Sequence, residues 1–212
     1  MNLITALAIS IGALAAVATY LCLGTGLGLQ VWALFIGWGA YYHTGGTAQS
    51  ITKCAANHAW GVIVATVALF VVATVGGAVP VTSLIVGLSV VVLVLGAHLP
   101  LLATIPAAVY GYASTAAFCL LSGVAIGDLA ASVPAAGMVL ISLILGNLFG
   151  FVSEKGAGLL VKAVVEKDVA KLDLGAQRIA GRDQRQTRLV IGLGALFVAQ
   201  AGHGATDVHH LG

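Results

Sequence analysis

Apolar stretches of near membrane-spanning length recur along the chain, and glycine, proline or small polar clusters separate them. A helix rises about 1.5 Å per residue and needs about 20 apolar residues to cross the hydrocarbon of a bilayer. Breaks belong where Gly, Pro and polar residues cluster. The first stretch, residues 3–23, ends in Gly24-Thr25-Gly26-Leu27-Gly28. The second covers 29–43 and stops at Thr44-Gly45-Gly46; the third begins somewhere in 47–59 and ends near Thr74, before Gly76-Gly77. The fourth, residues 80–97, is closed by His98-Leu99-Pro100; the fifth, residues 101–121, carries Pro106, a kink candidate; the sixth covers 129–152. The pattern predicts an all-α polytopic membrane protein with six transmembrane helices in residues 1–152. A charged, partly amphipathic tail over 153–212 follows.

Composition sharpens this. Of 212 residues 60% are hydrophobic and 8% charged, and the mean hydropathy is +1.08. Soluble domains carry roughly a quarter charged residues. Residues 1–152 hold two formal charges, Lys53 and Asp128, too few to solvate a surface in water. An ordinary soluble enzyme, a disordered chain and a nucleic-acid binder are all excluded by this distribution. The opening Met1-Asn2-Leu3-Ile4-Thr5 lacks the basic flank of a signal peptide, so the first stretch reads as an uncleaved span. Cys22, Cys54 and Cys119 are isolated on apolar stretches, which fits small buried side chains and neither disulfides nor zinc.

Lys/Arg bias sets the orientation. Eight basic residues in 153–188 place the tail, and with six spans both termini, in the cytoplasm. Lys53 then lies at a cytoplasmic connection and Asp128 at an external one.

The segment Trp32-Ala33-Leu34-Phe35-Ile36-Gly37-Trp38-Gly39-Ala40 resembles Pro106-Ala107-Ala108-Val109-Tyr110-Gly111-Tyr112-Ala113-Ser114: glycine, aromatic, two small residues. Gly12 and Gly87 precede these glycines at similar distances, and Gly61 pairs with Gly137 in the third and sixth stretches. A duplicated unit of three spans must insert upside down, so the sequence predicts two inverted three-helix repeats with a pathway between them. The plainer reading is that Gly-aromatic pairs let helices approach closely.

The polar residues cluster around this seam. Gln49, Lys53 and Asn57 are spaced i, i+4, i+8, and Gly45-Gly46 can break the chain just before them. Amide groups freed at the following helix start, with the Lys53 charge, would suit an anionic or dipolar solute. Lys53 as a snorkelling anchor is the plainer alternative. The expected pathway runs between Trp38, Tyr42, His43, Gly45, Gly46, Gln49, Lys53 and Asn57 on one side and Tyr110, Tyr112 and Ser114 on the other. The spans contain no carboxylate, and no metalloprotease, phosphate-loop or nucleophile motif occurs. A passive channel or facilitator for a small polar or anionic solute is therefore expected, without enzymatic activity, cofactor or bound metal. A structural or accessory subunit of a larger membrane complex is the alternative. Gly146-Asn147-Leu148-Phe149-Gly150 is a GxxxG that serves packing or a homo-oligomer contact. His203, Asp207, His209 and His210 stand near a Gly-rich end and read as solvated.

The opening Ile4-Thr5-Ala6-Leu7-Ala8-Ile9-Ser10, the Phe35-Ile36-Gly37-Trp38 core and Asn57-His58-Ala59-Trp60-Gly61 resemble the YcdZ-type family of small bacterial inner-membrane proteins over about residues 1–165. That resemblance implies six helices and an inner-membrane location. It implies no chemistry.

Overall fold

The structure is a computed structural model and describes residues 2–204. Among these residues it is all-helical: α1 (Leu3–Gly24), α2 (Val31–His43), α3 (Ala48–Thr74), α4 (Val79–Leu95), α5 (Ile105–Leu121) and α6 (Leu129–Gly204). The chain divides into two compact units, Met1–Val161 and Lys162–Gly212, and α6 contributes to both. Asp207, His209 and His210 lie outside the described residues.

Helix ends follow local chemistry. The Asn2 side chain accepts the Thr5 N–H at 2.8 Å and caps α1. Pro80 and Pro106 sit in the first turns of α4 and α5, where a missing N–H costs nothing. Pro106 therefore starts α5 and does not kink it. Pro134 falls inside α6, in its second turn.

Four helical segments are long and apolar enough to cross a membrane: Leu3–Gly24, Ala48–Thr74, Val79–His98 (α4 with its terminal 3₁₀ turn) and the apolar part of α6. With 17 residues α5 is shorter, and α2 has only 13. Each of these two short helices is crossed at close range by a longer one.

In α2, Ala33 packs with Val139, a Cβ at Gly37 would strike the Leu143 backbone, and Gly146 abuts Leu34 and Trp38. In α5, Ala107 packs with Cys54, a Cβ at Gly111 would strike the His58 backbone, and Gly61 abuts Ala108 and Tyr112. Numbers rise together in both crossings, so α2 runs parallel to α6 and α3 parallel to α5. The two crossings also share one register. Adding 74 to each α2 position and subtracting 85 from each α6 position turns the first set of contacts into the second. Gly61 thus corresponds to Gly146. Gly137, its expected counterpart, has nothing within 4 Å of a Cβ, and neither have Gly12 and Gly87.

Between the crossings the direction reverses. His43 meets Tyr110 while Trp32 meets Phe118, so α2 and α5 are antiparallel. In the same way His58 lies beside Asn147 while Val62 packs with Leu143, so α3 and α6 are antiparallel.

In the second unit Val165, Val169 and Leu172 are exposed on the helix, and Lys162 pairs with Glu166 at 3.8 Å. An exposed pair of this kind contributes at most about 1 kcal/mol.

Candidate functional site

The expected pathway residues separate into three groups. Trp38 and Tyr42 turn towards α1 and α6 and meet at Ser153. The Trp38 indole donates to Ser153 Oγ at 3.0 Å, and the Tyr42 hydroxyl lies 2.7 Å from the same atom. Ser10 Oγ donates to the Ser153 carbonyl at 2.8 Å, which ties α1 into the same knot. On the other side Tyr112 turns to α4, its hydroxyl 2.8 Å from Ser89 Oγ. These three aromatics are held to α6 and α4 and do not line the α2–α5 seam.

The second group surrounds the α2–α3 turn. Gly45 and Gly46 have φ of 108° and 62°, values an L side chain rarely adopts, so the two glycines do break the chain there. Their amides are taken, however: Gly45 N–H donates to the Tyr42 carbonyl and Gly46 N–H to that of Tyr41, both at 3.0 Å. Thr47 caps α3, and its own N–H donates to Ser50 Oγ at 3.1 Å. The amides of the turn itself are therefore taken; of those at the start of α3, where freed amides were expected, Ser50 N–H donates to the Thr47 carbonyl at 2.9 Å. Gln49 and Lys53 are exposed on the outside of α3. Asn57 is fully buried, its amide donating to the Lys53 carbonyl at 2.7 Å and to the Leu101 carbonyl at 3.0 Å. The expected polar face is therefore split. A spacing of eight residues advances about 80° around a 3.6-residue helix, enough to carry Asn57 from the surface to the interior.

The third group does converge. Between α2 and α5 lies a cavity of about 580 Å³, lined by Ile36, Gly39 and Ala40 on one side and Tyr110, Ala113 and Ser114 on the other. Trp32 and Ala117 also line it, and both belong as well to a second cavity of about 360 Å³ that reaches Gln30 and Ser122. Together they form one trough along the α2–α5 seam. His43 and Tyr110 stand at one end, Nδ1 3.0 Å from the hydroxyl, and Gln30 and Ser122 at the other. Ser114 and Ala40 are its buried floor, 3% and 1% exposed. No charged side chain lines it. Removing the Tyr110 hydroxyl takes away a single exposed hydrogen bond, so Tyr110→Phe lowers stability by about 1 kcal/mol or less, measured as thermal unfolding in detergent.

Several buried polar atoms have no hydrogen-bond partner: Asn57 Oδ1, His58 Nε2, Ser114 Oγ, Thr115 Oγ1 and both amide atoms of Asn147. His58 Nδ1 lies 2.8 Å from the Ala107 carbonyl. A carbonyl only accepts, so Nδ1 carries the proton, and in the neutral ring Nε2 is an open acceptor. Sequence reasoning named His58 in the polar stretch and took it for a structural histidine; it did not single out Thr115 or the Asn147 side chain. The only signal for them was a polar residue within an apolar stretch. Cys22, Cys54 and Cys119 are buried and free, and no group of metal-holding side chains exists among the described residues.

The long apolar helices mark a membrane protein. Within that class, the chain belongs to the DUF1097 family of proteins of unknown function, whose model matches residues 8–158. No curated protein and no solved structure matches the chain.

Proposed function

We propose that the first unit crosses the bilayer six times as two inverted three-helix halves and passes a small uncharged solute along the α2–α5 trough. The trough carries the reading: polar groups stand at both of its ends, and a buried hydroxyl without a partner lies between them. The shared register of the two glycine crossings supports the inverted halves, whose seam is where transporter pathways lie. Passage of an anion has less support, because Lys53 stands outside the seam and an ion in an uncharged trough would lose its hydration without compensation. The eight basic residues within 153–188 favour cytoplasmic termini, and the likeness to YcdZ-type proteins favours a bacterial inner membrane.

Stopped-flow swelling of proteoliposomes in glycerol tests the transport. Wild-type protein is expected to speed swelling over empty liposomes. Ala113→Trp and Ala117→Trp should return it to the empty rate, while Lys53→Gln leaves it unchanged. Wild-type swelling at the empty rate, or swelling indifferent to both tryptophans, overturns the reading. Topology has its own check, in a chain whose three cysteines are replaced by alanine. Lys53→Cys and Asp128→Cys are expected to react with an impermeant maleimide from opposite sides of the membrane; labelling from one side removes the six crossings.

The accessory-subunit reading is favoured by α4, whose Leu84, Leu88, Val91 and Leu95 are all exposed. A helix this little buried suits a partner surface as well as lipid.

A further inference from the structure

The α2–α5 trough opens sideways. Gly39, Ala113 and Ala117 are exposed along its rim, and Ile36 is 37% exposed. On the six-crossing reading these positions face hydrocarbon, so the trough communicates with the bilayer interior along its length. Ser114 is the tenth residue of a 17-residue helix, which puts it near mid-depth.

Its hydroxyl is without a partner, as are those of Thr82, Thr115 and Ser132, but of these four Ser114 is the one that lines the trough. Ser83, Ser142 and Thr66 each donate to the carbonyl four residues earlier, at 2.8 Å, the usual way for a hydroxyl on a helix to satisfy itself away from water. Ser114 Oγ makes no such bond, is 3% exposed, and lines the trough. Lipid tails offer it nothing. The neighbouring Tyr110 hydroxyl is already held by His43. The trough therefore presents one unspent hydrogen-bonding group on an otherwise aliphatic and aromatic wall, in a space of about 580 Å³, a volume suited to a single organic molecule.

We infer that the trough is a binding site for a neutral, lipid-soluble molecule carrying one hydroxyl or carbonyl group, which reaches it laterally from the bilayer and sets that group against Ser114. A charged headgroup is refused, since no counter-charge lines the site. The inference goes beyond transport: it needs the bundle to sit in the bilayer and the trough to be open, but no flux.

Photolabelling of the protein in nanodiscs tests it. Three diazirine probes with the same twelve-carbon chain are compared: the primary alcohol, the plain hydrocarbon and the trimethylammonium cation. The alcohol is expected to label the peptides containing Ile36–Ala40 and Tyr110–Ala117 about fivefold more than the hydrocarbon, the ratio one hydrogen bond of ordinary net strength supplies. The cation should label them least. Ser114→Ala should bring the alcohol down to the hydrocarbon level, and Ala117→Trp should suppress both, each in protein that elutes as the wild type does on size exclusion. Equal labelling by all three probes means ordinary contact with surrounding lipid and overturns the inference. So does alcohol labelling that survives Ser114→Ala. Labelling as expected in a protein that passes no glycerol upholds this site and removes the transport reading. Glycerol flux without preferential labelling does the reverse.

Discussion

Gly61→Ala and Gly146→Ala are each expected to abolish recovery of folded protein. A Cβ at Gly61 would fall on the Ala108 carbonyl, and one at Gly146 on the Leu34 carbonyl, so backbone would have to retreat from backbone. Flexible side chains yield to an extra methyl, whereas two helices in contact cannot move apart without emptying the packing around them. Overpacking of this kind costs about 3 kcal/mol or more, against about 1 kcal/mol gained from replacing glycine by alanine inside a helix. The measurement is the monodisperse fraction after detergent extraction, with the thermal unfolding midpoint of whatever remains. Gly12→Ala and Gly137→Ala are the controls, because a Cβ at either meets nothing within 4 Å. If Gly137→Ala proves as damaging as Gly146→Ala, the register of the two crossings is wrong.

Ser153→Ala is the second large loss. It removes the acceptor of the Trp38 indole and the partner of the Tyr42 hydroxyl, leaving two polar groups unsatisfied between α1, α2 and α6. The expected destabilisation is about 2–4 kcal/mol, from a cost of about 1–3 kcal/mol for each group stranded away from water. Tyr42→Phe alone costs less. Combined with Ser153→Ala, it should recover about 1 kcal/mol relative to the sum of the two, since the stranded hydroxyl is then gone. Unfolding midpoints of the four proteins in one detergent close the cycle. Strict additivity would mean that Tyr42 does not depend on Ser153.

The helices were legible because their boundaries are written in backbone chemistry. Gly45-Gly46 and Gly76-Gly77 supply positive φ where α2 and α3 end, and Pro80 and Pro106 fall where helices begin. The sequence expected the second helix over 29–43 and the structure has Val31–His43; the sixth was expected to start at 129 and does. The length of the sixth was not legible. Loss of hydrophobicity after Val152 signals the end of a span, not the end of a helix, and α6 continues to Gly204. Four helical segments meet the length and hydropathy of a crossing, because the 13 and 17 residues of α2 and α5 fall short of it.

The site was harder to read, for a geometric reason. Composition identified Trp38, Tyr112, Lys53 and Ser114 equally well, but only facing decides which of them share a space. Gly37 and Gly111 are consumed by the crossings, so the residues beside them, Trp38 and Tyr112, are carried off to α6 and α4. The positions one step earlier, Ile36 and Tyr110, face the trough. Pairing Gly61 with Gly137 failed because the second half is longer at three places: α5 runs four residues further past its crossing glycine, the connection to α6 is three residues longer, and α6 runs four residues further before its own, which together move the offset from 74 to 85. The GxxxG at Gly146 and Gly150 was the better signal, since only a contact explains two glycines on one face.

The clasp of α2 by α6 bears on biogenesis. A 13-residue helix is a poor independent lodger in a bilayer, and the surface that shelters it is made from Val139 to Gly150, about a hundred residues later in synthesis. On the six-crossing reading, the first three helices would stand half-assembled until the last one emerges from the ribosome. A chain cut short before Gly146 should be a ready substrate for membrane quality control.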